Sequence, residues 1–144
     1  MEYGVIQPID VYFDQLDAAR TLYHGEYVRL VDRAAATYWE SKGYHHDPDK
    51  PESETFILVR EFSITFDRPI RNYGRVLIHL WIERVGTTSY VMGFRILSAS
   101  GQEEYAHGHR VLVSIDPATM RPAPITGRSL EDLQELTRPV PAPA

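Results

Sequence analysis

The chain has 144 residues, 43% of them hydrophobic and 11% aromatic, and a formal charge of −5. That is enough for one domain with a sizeable core, and too acidic for a general nucleic-acid or membrane-surface binder. It contains no cysteine, which excludes disulfides, thiolate zinc sites and a cysteine nucleophile. No run approaches the roughly 18 apolar residues of a membrane span, and no basic-then-apolar leader opens the chain, so a cytoplasmic protein is expected.

Residues 4 to 13 read as a first strand, confined to an edge or a bulge by Pro8. A short acidic turn with Asp14 and Asp17 follows, then a tight Tyr23-His24-Gly25 corner. From 26 to 43 the apolar or small residues Tyr27, Leu30, Val31, Ala34, Ala35 and Tyr38 recur at helical spacing. Gly43 is a suitable stop, since glycine adopts the left-handed terminal conformation without steric cost. An acid just ahead of a helix start is chemically suggestive. The carboxylate can serve as base or nucleophile, and the unpaired N–H groups can polarise a carbonyl.

Residues 44 to 54 are polar with two prolines and read as a loop. Four strand-like stretches come next. Residues 55 to 68 place Phe56, Leu58, Phe62, Ile64 and Phe66 on one face. Residues 75 to 85 set Val76, Ile78, Leu80 and Ile82 against Leu77, His79, Trp81 and Glu83. Residues 89 to 98 align Tyr90, Met92, Phe94 and Ile96. Residues 104 to 116 align Tyr105, Val111, Val113 and Ile115. Turns at 72–74, 85–87 and 98–102 are short, which favours antiparallel neighbours. Residues 117 to 128 are Pro-rich and irregular. Ser129 to Asp132 fits an S-x-x-D start for a short helix to about Leu136, and the tail RPVPAPA is expected to be extended and mobile. The predicted fold is α+β, with about five antiparallel strands around one long helix. His79 and Trp81 on the second sheet face suggest that another subunit covers it.

These residues carry a resemblance. D-Q-L-D-A at 14–18, Y-H-G-E-Y at 23–27, F-x-R-P at 66–69, E-R-V-G-T-T-S at 83–89 and A-x-G-x-x-x-x-V at 106–113 together resemble the hotdog-fold acyl-CoA thioesterases of the 4-hydroxybenzoyl-CoA thioesterase and YbgC-like branch, over roughly residues 5 to 118. The resemblance implies a hotdog fold and hydrolysis of an acyl thioester on coenzyme A or an acyl carrier protein. It implies no cofactor and no metal. It also implies a homo-oligomer, a dimer or dimer of dimers, with each acyl pocket at a subunit boundary. Asp17 matches the catalytic carboxylate. The His24-Gly25 helix start matches the oxyanion donor, with the His24 side chain as a further assistant. Tyr23 and Tyr27 match aromatic positions that shape the acyl pocket, and Thr87, Thr88 and Ser89 match a turn along the pantetheine path. Many relatives carry glycine after the Asp-Ala pair, where this chain has Ala19-Arg20. Arg20 beside the acid would favour its ionised form, pair with it, or recognise an acyl-group carboxylate or phenolate.

Other signals have plainer readings. Asp14 is a corner residue. His45, His46, Asp47 and Asp49 lie in a Pro-rich loop without a second ligand pair. His107 and His109 share a strand face and could bind a metal or pair with carboxylates, with packing the default. Arg60 and Arg84 are solvated strand positions that could meet a phosphate. No G-x-S-x-G elbow, phosphate loop or dinucleotide fingerprint is present. Two further functions remain open on the same scaffold: a dehydratase or hydratase of acyl thioesters, and a non-catalytic acyl-thioester binding protein.

Overall fold

A computed structural model describes residues 3–44 and 56–139. The proposed loop histidines and acids at 45 to 49 lie outside the described residues. The chain runs β1 (Val5–Val11), α1 (Glu26–Ser41), β2 (Phe56–Phe66), β3 (Gly74–Val85), β4 (Ser89–Ser98), β5 (Glu104–Asp116), β6 (Arg121–Pro122) and α2 (Gly127–Glu135). A short 3-10 turn at Phe13–Gln15 follows β1. The sheet order is β1-β3-β4-β5-β2, with β6 paired to β5. Every strand pair in it is antiparallel. β1 is an edge strand, as Pro8 requires.

The long helix lies where its periodicity puts it. Tyr27, Leu30, Val31, Ala34, Ala35 and Tyr38 are buried. They join Val76, Ile78, Leu80, Ile82, Tyr90, Met92, Phe94 and Ile96 in one continuous core. Gly43, at φ +93°, ends the helix in the left-handed conformation.

Two expectations need correction, and a third is qualified. First, a bulge between Val59 and Glu61 breaks the alternation of β2. Leu58 pairs with Val113 and is 43% exposed, so it does not share a face with Phe62. Second, β5 sends Ala106, Arg110 and Leu112, rather than Val111 and Val113, to the helix side, alongside Ile96, Met92 and Tyr90 of β4. The charge of Arg110 hid that face, because the residue reads as solvated until Asp32 of α1 is placed beside it.

Third, the second face around His79 and Trp81 is covered in part by this chain's own ends. Gly4 turns at φ +70° so close to β3 that a Cβ there would lie 3.0 Å from both Nε2 of His79 and Cβ of Trp81. The Tyr3 carbonyl then meets Nε2 of His79 at 2.9 Å, and the Tyr3 ring packs edge-on against Trp81. Where β1 stops, the chain after α2 continues the edge. Ile82 donates to the Leu136 carbonyl and accepts from the N–H of Arg138. Arg138 lies over the Tyr3 ring and faces Glu83, so the tail is anchored at its start.

The second helix begins at Gly127, two positions ahead of the S-x-x-D signal, with Thr126 at its cap position. Asp132 is occupied elsewhere: it accepts the Tyr44 hydroxyl at 2.6 Å and faces Arg128 at 3.6 Å, tying α2 to the end of α1.

Candidate active site

The chain from Leu16 to Leu22 forms a tight loop closed by a bridge between those two residues. Asp17 and Thr21 pair through the Asp17 N–H and the Thr21 carbonyl at 2.9 Å, and Arg20 donates back to the Asp17 carbonyl at 2.9 Å. The Asp17 side chain locks the turn by accepting from the Ala19 N–H at 2.9 Å and from Thr21. The Leu22 N–H donates to Ile70 at 2.7 Å, which fastens the loop to the segment before β3.

Gln15 connects this loop to the helix. It is 7% exposed, accepts the Tyr12 N–H at 2.7 Å through its amide oxygen, and donates to Glu26 at 3.1 Å. Its carbonyl also receives the Tyr23 N–H at 3.1 Å. Gln15, Thr21 and Glu26 were not singled out from the sequence. The four-residue spacing of Asp17 and Thr21 was the one local signal for such a turn.

At the helix start, the Glu26 N–H is spent on the Tyr23 carbonyl and the Tyr27 N–H on that of His24. The N–H groups of His24 and Gly25 donate to no backbone carbonyl among the described residues. The rings of Tyr23 and His24 pack against each other at 4.4 Å, both exposed. Tyr27 is buried with its ring edge-on to Phe66 at 4.9 Å. Burial pushes its hydroxyl above the ordinary value. A hydrogen bond with the Ile70 backbone opposes the rise, and the Tyr105 hydroxyl and Asp17 carboxylate add to it. The Asp17 carboxylate therefore acts on the Tyr27 hydroxyl, and the loop that carries it meets the segment leading into α1 through the bond from the Tyr23 N–H to the Gln15 carbonyl.

Of the alternatives for Arg20, pairing with the acid does not occur. The Arg20 side chain is exposed and makes no ion pair with Asp17. Its backbone sits at φ +61°, in the left-handed region. The turn needs a positive φ, which glycine adopts freely and Arg20 adopts at a steric cost.

Thr87, Thr88 and Ser89 lie at the other end of the sheet. Thr88 accepts the Ser114 N–H and Thr87 the Ile125 N–H, both at 2.8 Å. β3 runs from Gly74, opposite Val11, to Val85, so roughly 35 Å of strand separates that turn from the Asp17 end. Within one chain these residues do not meet Asp17. A cavity of about 360 Å³ does open at their end, between α1, α2, β2 and β5, lined by residues including Trp39, Ile57, Tyr90, Arg110 and Leu133. Asp17 and His24 line neither this cavity nor the one over the second face.

The two strand histidines pair with carboxylates. Nδ1 of His107 lies 2.7 Å from Asp67, and Nε2 of His109 lies 3.6 Å from Glu61. Asp67, Glu104 and His107 bring donor atoms within 4.8 Å of one another, an arrangement already used by the His107–Asp67 pair. Arg60 is exposed, as expected, and Arg84 borders the second-face cavity. Among the described residues no helix is long and apolar enough to cross a membrane.

Comparison with known proteins gives these features a context. A family model described as the thioesterase superfamily matches residues 19–105. The acyl-CoA thioester hydrolase YbgC of Escherichia coli O6:H1 is 26% identical over 115 residues, covering 80% of this chain and 84% of that one. The crystal structure of the PA5185 protein of Pseudomonas aeruginosa superposes with a TM-score of 0.82 at 25% identity, covering 94% of this chain and 93% of that one. A 1,4-dihydroxy-2-naphthoyl-CoA thioesterase from Synechocystis has the same fold, with a TM-score of 0.80 at 18% identity over 93% of this chain and 98% of that one.

Proposed function

The chain belongs to the thioesterase superfamily, and from that premise we propose that it hydrolyses an acyl thioester, on coenzyme A or an acyl carrier protein, to a free acid and a thiol. One observation carries the reading: a corner that combines the exposed carboxylate of Asp17 with the two unspent amide donors of His24 and Gly25. The thioester carbonyl oxygen would take those N–H groups, which are fixed before charge develops and so need no reorganisation. Asp17 attacks the carbonyl carbon or activates a water that does so. The carbon–sulfur bond breaks and the thiolate leaves, taking up a proton to become the thiol. Where Asp17 is the nucleophile, a water then cleaves the acyl–Asp17 anhydride, which releases the acid and restores the carboxylate. The similarity to a relative named for acyl-CoA thioester hydrolysis supports coenzyme A as the carrier.

The same reading makes the protein a homo-oligomer. Among the described residues β2 pairs only with β5, which leaves its other edge open, and along β2 Leu58, Val59 and Phe66 are exposed by 43%, 54% and 50%. Two copies paired antiparallel along this edge would reverse strand direction. The Phe66 end of one, which packs on Tyr27 beside Asp17, would then lie by Ile57 of the other. Ile57 borders the cavity, and its partner in β5 is Ser114, which bonds Thr88. The site is thus completed by a second copy, with Asp17, His24 and Gly25 from one chain facing the cavity and the Thr87–Ser89 turn of the other.

The test is thiol release from acyl-CoAs and acyl carrier proteins. Asp17→Asn keeps the Oδ1 acceptor that holds the turn and should lower turnover by roughly 10²–10⁴ with the fold intact. Leu58→Arg should give monomers by sedimentation and lose turnover together. Unchanged turnover in Asp17→Asn removes Asp17 from the mechanism, and binding of acyl-CoAs by the wild type without thiol release leaves a binding protein.

A further inference from the structure

The cavity beside α1 is a greasy slot with one polar end. Ala35, Trp39, Ile57, Leu112, Ile125 and Leu133 supply apolar walls. Tyr90 and Arg110 lie on the same sheet face as diagonal neighbours, since Tyr90 pairs with Leu112 and Met92 with Arg110. Each is 6% exposed. Arg110 gives one N–H to Asp32 at 2.6 Å, while its Nε is buried without a partner. The Tyr90 hydroxyl also has no hydrogen-bond partner among the described residues, and the guanidinium of Arg110 is its charged neighbour. Burial pushes that hydroxyl up to about 12, so it remains a donor throughout the physiological range.

Buried polar groups are normally satisfied, and leaving one unmade is costly. One such group, the Nε of Arg110, beside a hydroxyl that faces the cavity points to an oxygen that arrives with a ligand. Its charge follows from the surroundings. Asp32 already balances Arg110, so a ligand carboxylate would bring a net negative charge into a mostly apolar slot. A ketone or hydroxyl accepts the same hydrogen bonds without that penalty. At about 30 Å³ per water-sized group, the cavity holds roughly a dozen non-hydrogen atoms.

We propose that this cavity is the acyl subsite, and that Tyr90, backed by Arg110, selects acyl groups carrying a neutral carbonyl or hydroxyl oxygen remote from the thioester. The proposal rests on the thioesterase reading for its substrate and on the cavity alone for its chemistry.

Both parts can be tested separately. Thiol release is compared for octanoyl-CoA, for oxooctanoyl-CoAs with the ketone toward the far end of the chain, and for the thioester of the matching dicarboxylic acid. In the wild type the ketone should raise kcat/KM by about tenfold over octanoyl, as one neutral hydrogen bond does, and the carboxylate should not. In Tyr90→Phe, checked for folding by circular dichroism, the ratio of ketone to plain substrate should fall toward one. Calorimetry with acetophenone and ethylbenzene reads the pocket without any turnover. Acetophenone should bind about tenfold tighter to the wild type and no tighter to Tyr90→Phe. Thiol release with no preference for the ketone, a preference that survives Tyr90→Phe, or a preference for the carboxylate overturns the proposal. Selective binding of acetophenone by a protein that releases no thiol overturns the thioesterase reading instead and leaves the pocket chemistry standing.

Discussion

Thr21 holds one oxygen of Asp17 with both of its donors, the N–H and the hydroxyl, each 3.3 Å from Oδ1. The Ala19 N–H joins them on that oxygen at 2.9 Å, while Oδ2 receives only the hydroxyl, at 3.4 Å. One carboxylate oxygen therefore anchors the turn and the other has a single long contact. In the proposed mechanism Thr21 acts through Asp17 as a positioning residue. Thr21→Val removes the hydroxyl at similar volume, so kcat should fall about tenfold with KM within about twofold, and Thr21→Ser should restore it. Steady-state thiol release checks this. A purely structural role would lower thermal stability and leave that split between kcat and KM unseen.

Arg20 is a second point where the corner is under constraint. Its φ of +61° costs a residue with a side chain roughly 1–2 kcal/mol, and glycine escapes most of that. Glycine also loses about 0.5–1 kcal/mol through its greater freedom when unfolded. Arg20→Gly should therefore gain a net ~0.5–1 kcal/mol, while Arg20→Val, β-branched and stiffer, should lose more than ~1 kcal/mol. Urea unfolding of the three proteins ranks them. Stability that follows side-chain charge instead of backbone tolerance would refute the strain.

Gly108 is needed for space. A Cβ there would press into the Ser63 carbonyl of the neighbouring strand and lie 2.9 Å from Cζ of Phe94, which is fully buried. Backbone and a packed ring leave little room to yield. Gly108→Ala should cost about 3 kcal/mol, the upper end of ordinary overpacking. Loss of less than ~1 kcal/mol in urea unfolding would mean that β2 and β5 separate more readily than their pairing suggests.

The helix and most strands were legible because one buried face repeats at 3.6 or 2 residues. Tyr27 to Tyr38 obey that rule, and Val76, Ile78, Leu80 and Ile82 keep the two-residue repeat although His79 and Trp81 between them are buried as well. Asp17 and Tyr23-His24-Gly25 were legible as a turn carboxylate and a helix start, while their joint role in a reaction is the proposal made above. What stayed hidden lacks a local pattern. The bulge after Val59 inserts one residue and reverses the faces of the preceding stretch. The polar end of the cavity joins Asp32 on α1, Tyr90 on β4 and Arg110 on β5, and no spacing within one element announces that meeting. Tyr90 alone read as core, and Arg110 disguised the buried side of its strand. The cover over His79 comes from Tyr3 and Arg138, near opposite ends of the chain, so no window of sequence contains it.

His79 makes stability depend on pH. It is fully buried, and Nε of Arg95 donates to its Nδ1 at 3.0 Å. A guanidinium nitrogen can only donate, so Nδ1 is bare and the proton sits on Nε2, which gives it to the Tyr3 carbonyl. Protonation would break the Arg95 contact and place two cations together. Burial is the main force holding this imidazole below its ordinary value near 6.5. The Tyr3 carbonyl opposes it, and the charges of Arg95 and Arg138 reinforce it. A base with a depressed folded-state value binds fewer protons folded than unfolded. Its contribution is thus complete above about pH 6.5 and declines as pH falls below that, with a limiting slope of about 1.4 kcal/mol per pH unit until the folded imidazole itself titrates. His79→Gln supplies one acceptor and one donor in similar places and does not titrate. Thermal unfolding between pH 7.5 and 5.5 should therefore show a steeper loss for the wild type than for His79→Gln. Parallel curves would mean that the imidazole takes up its proton without leaving the fold, and that the contact with Arg95 gives way at little cost.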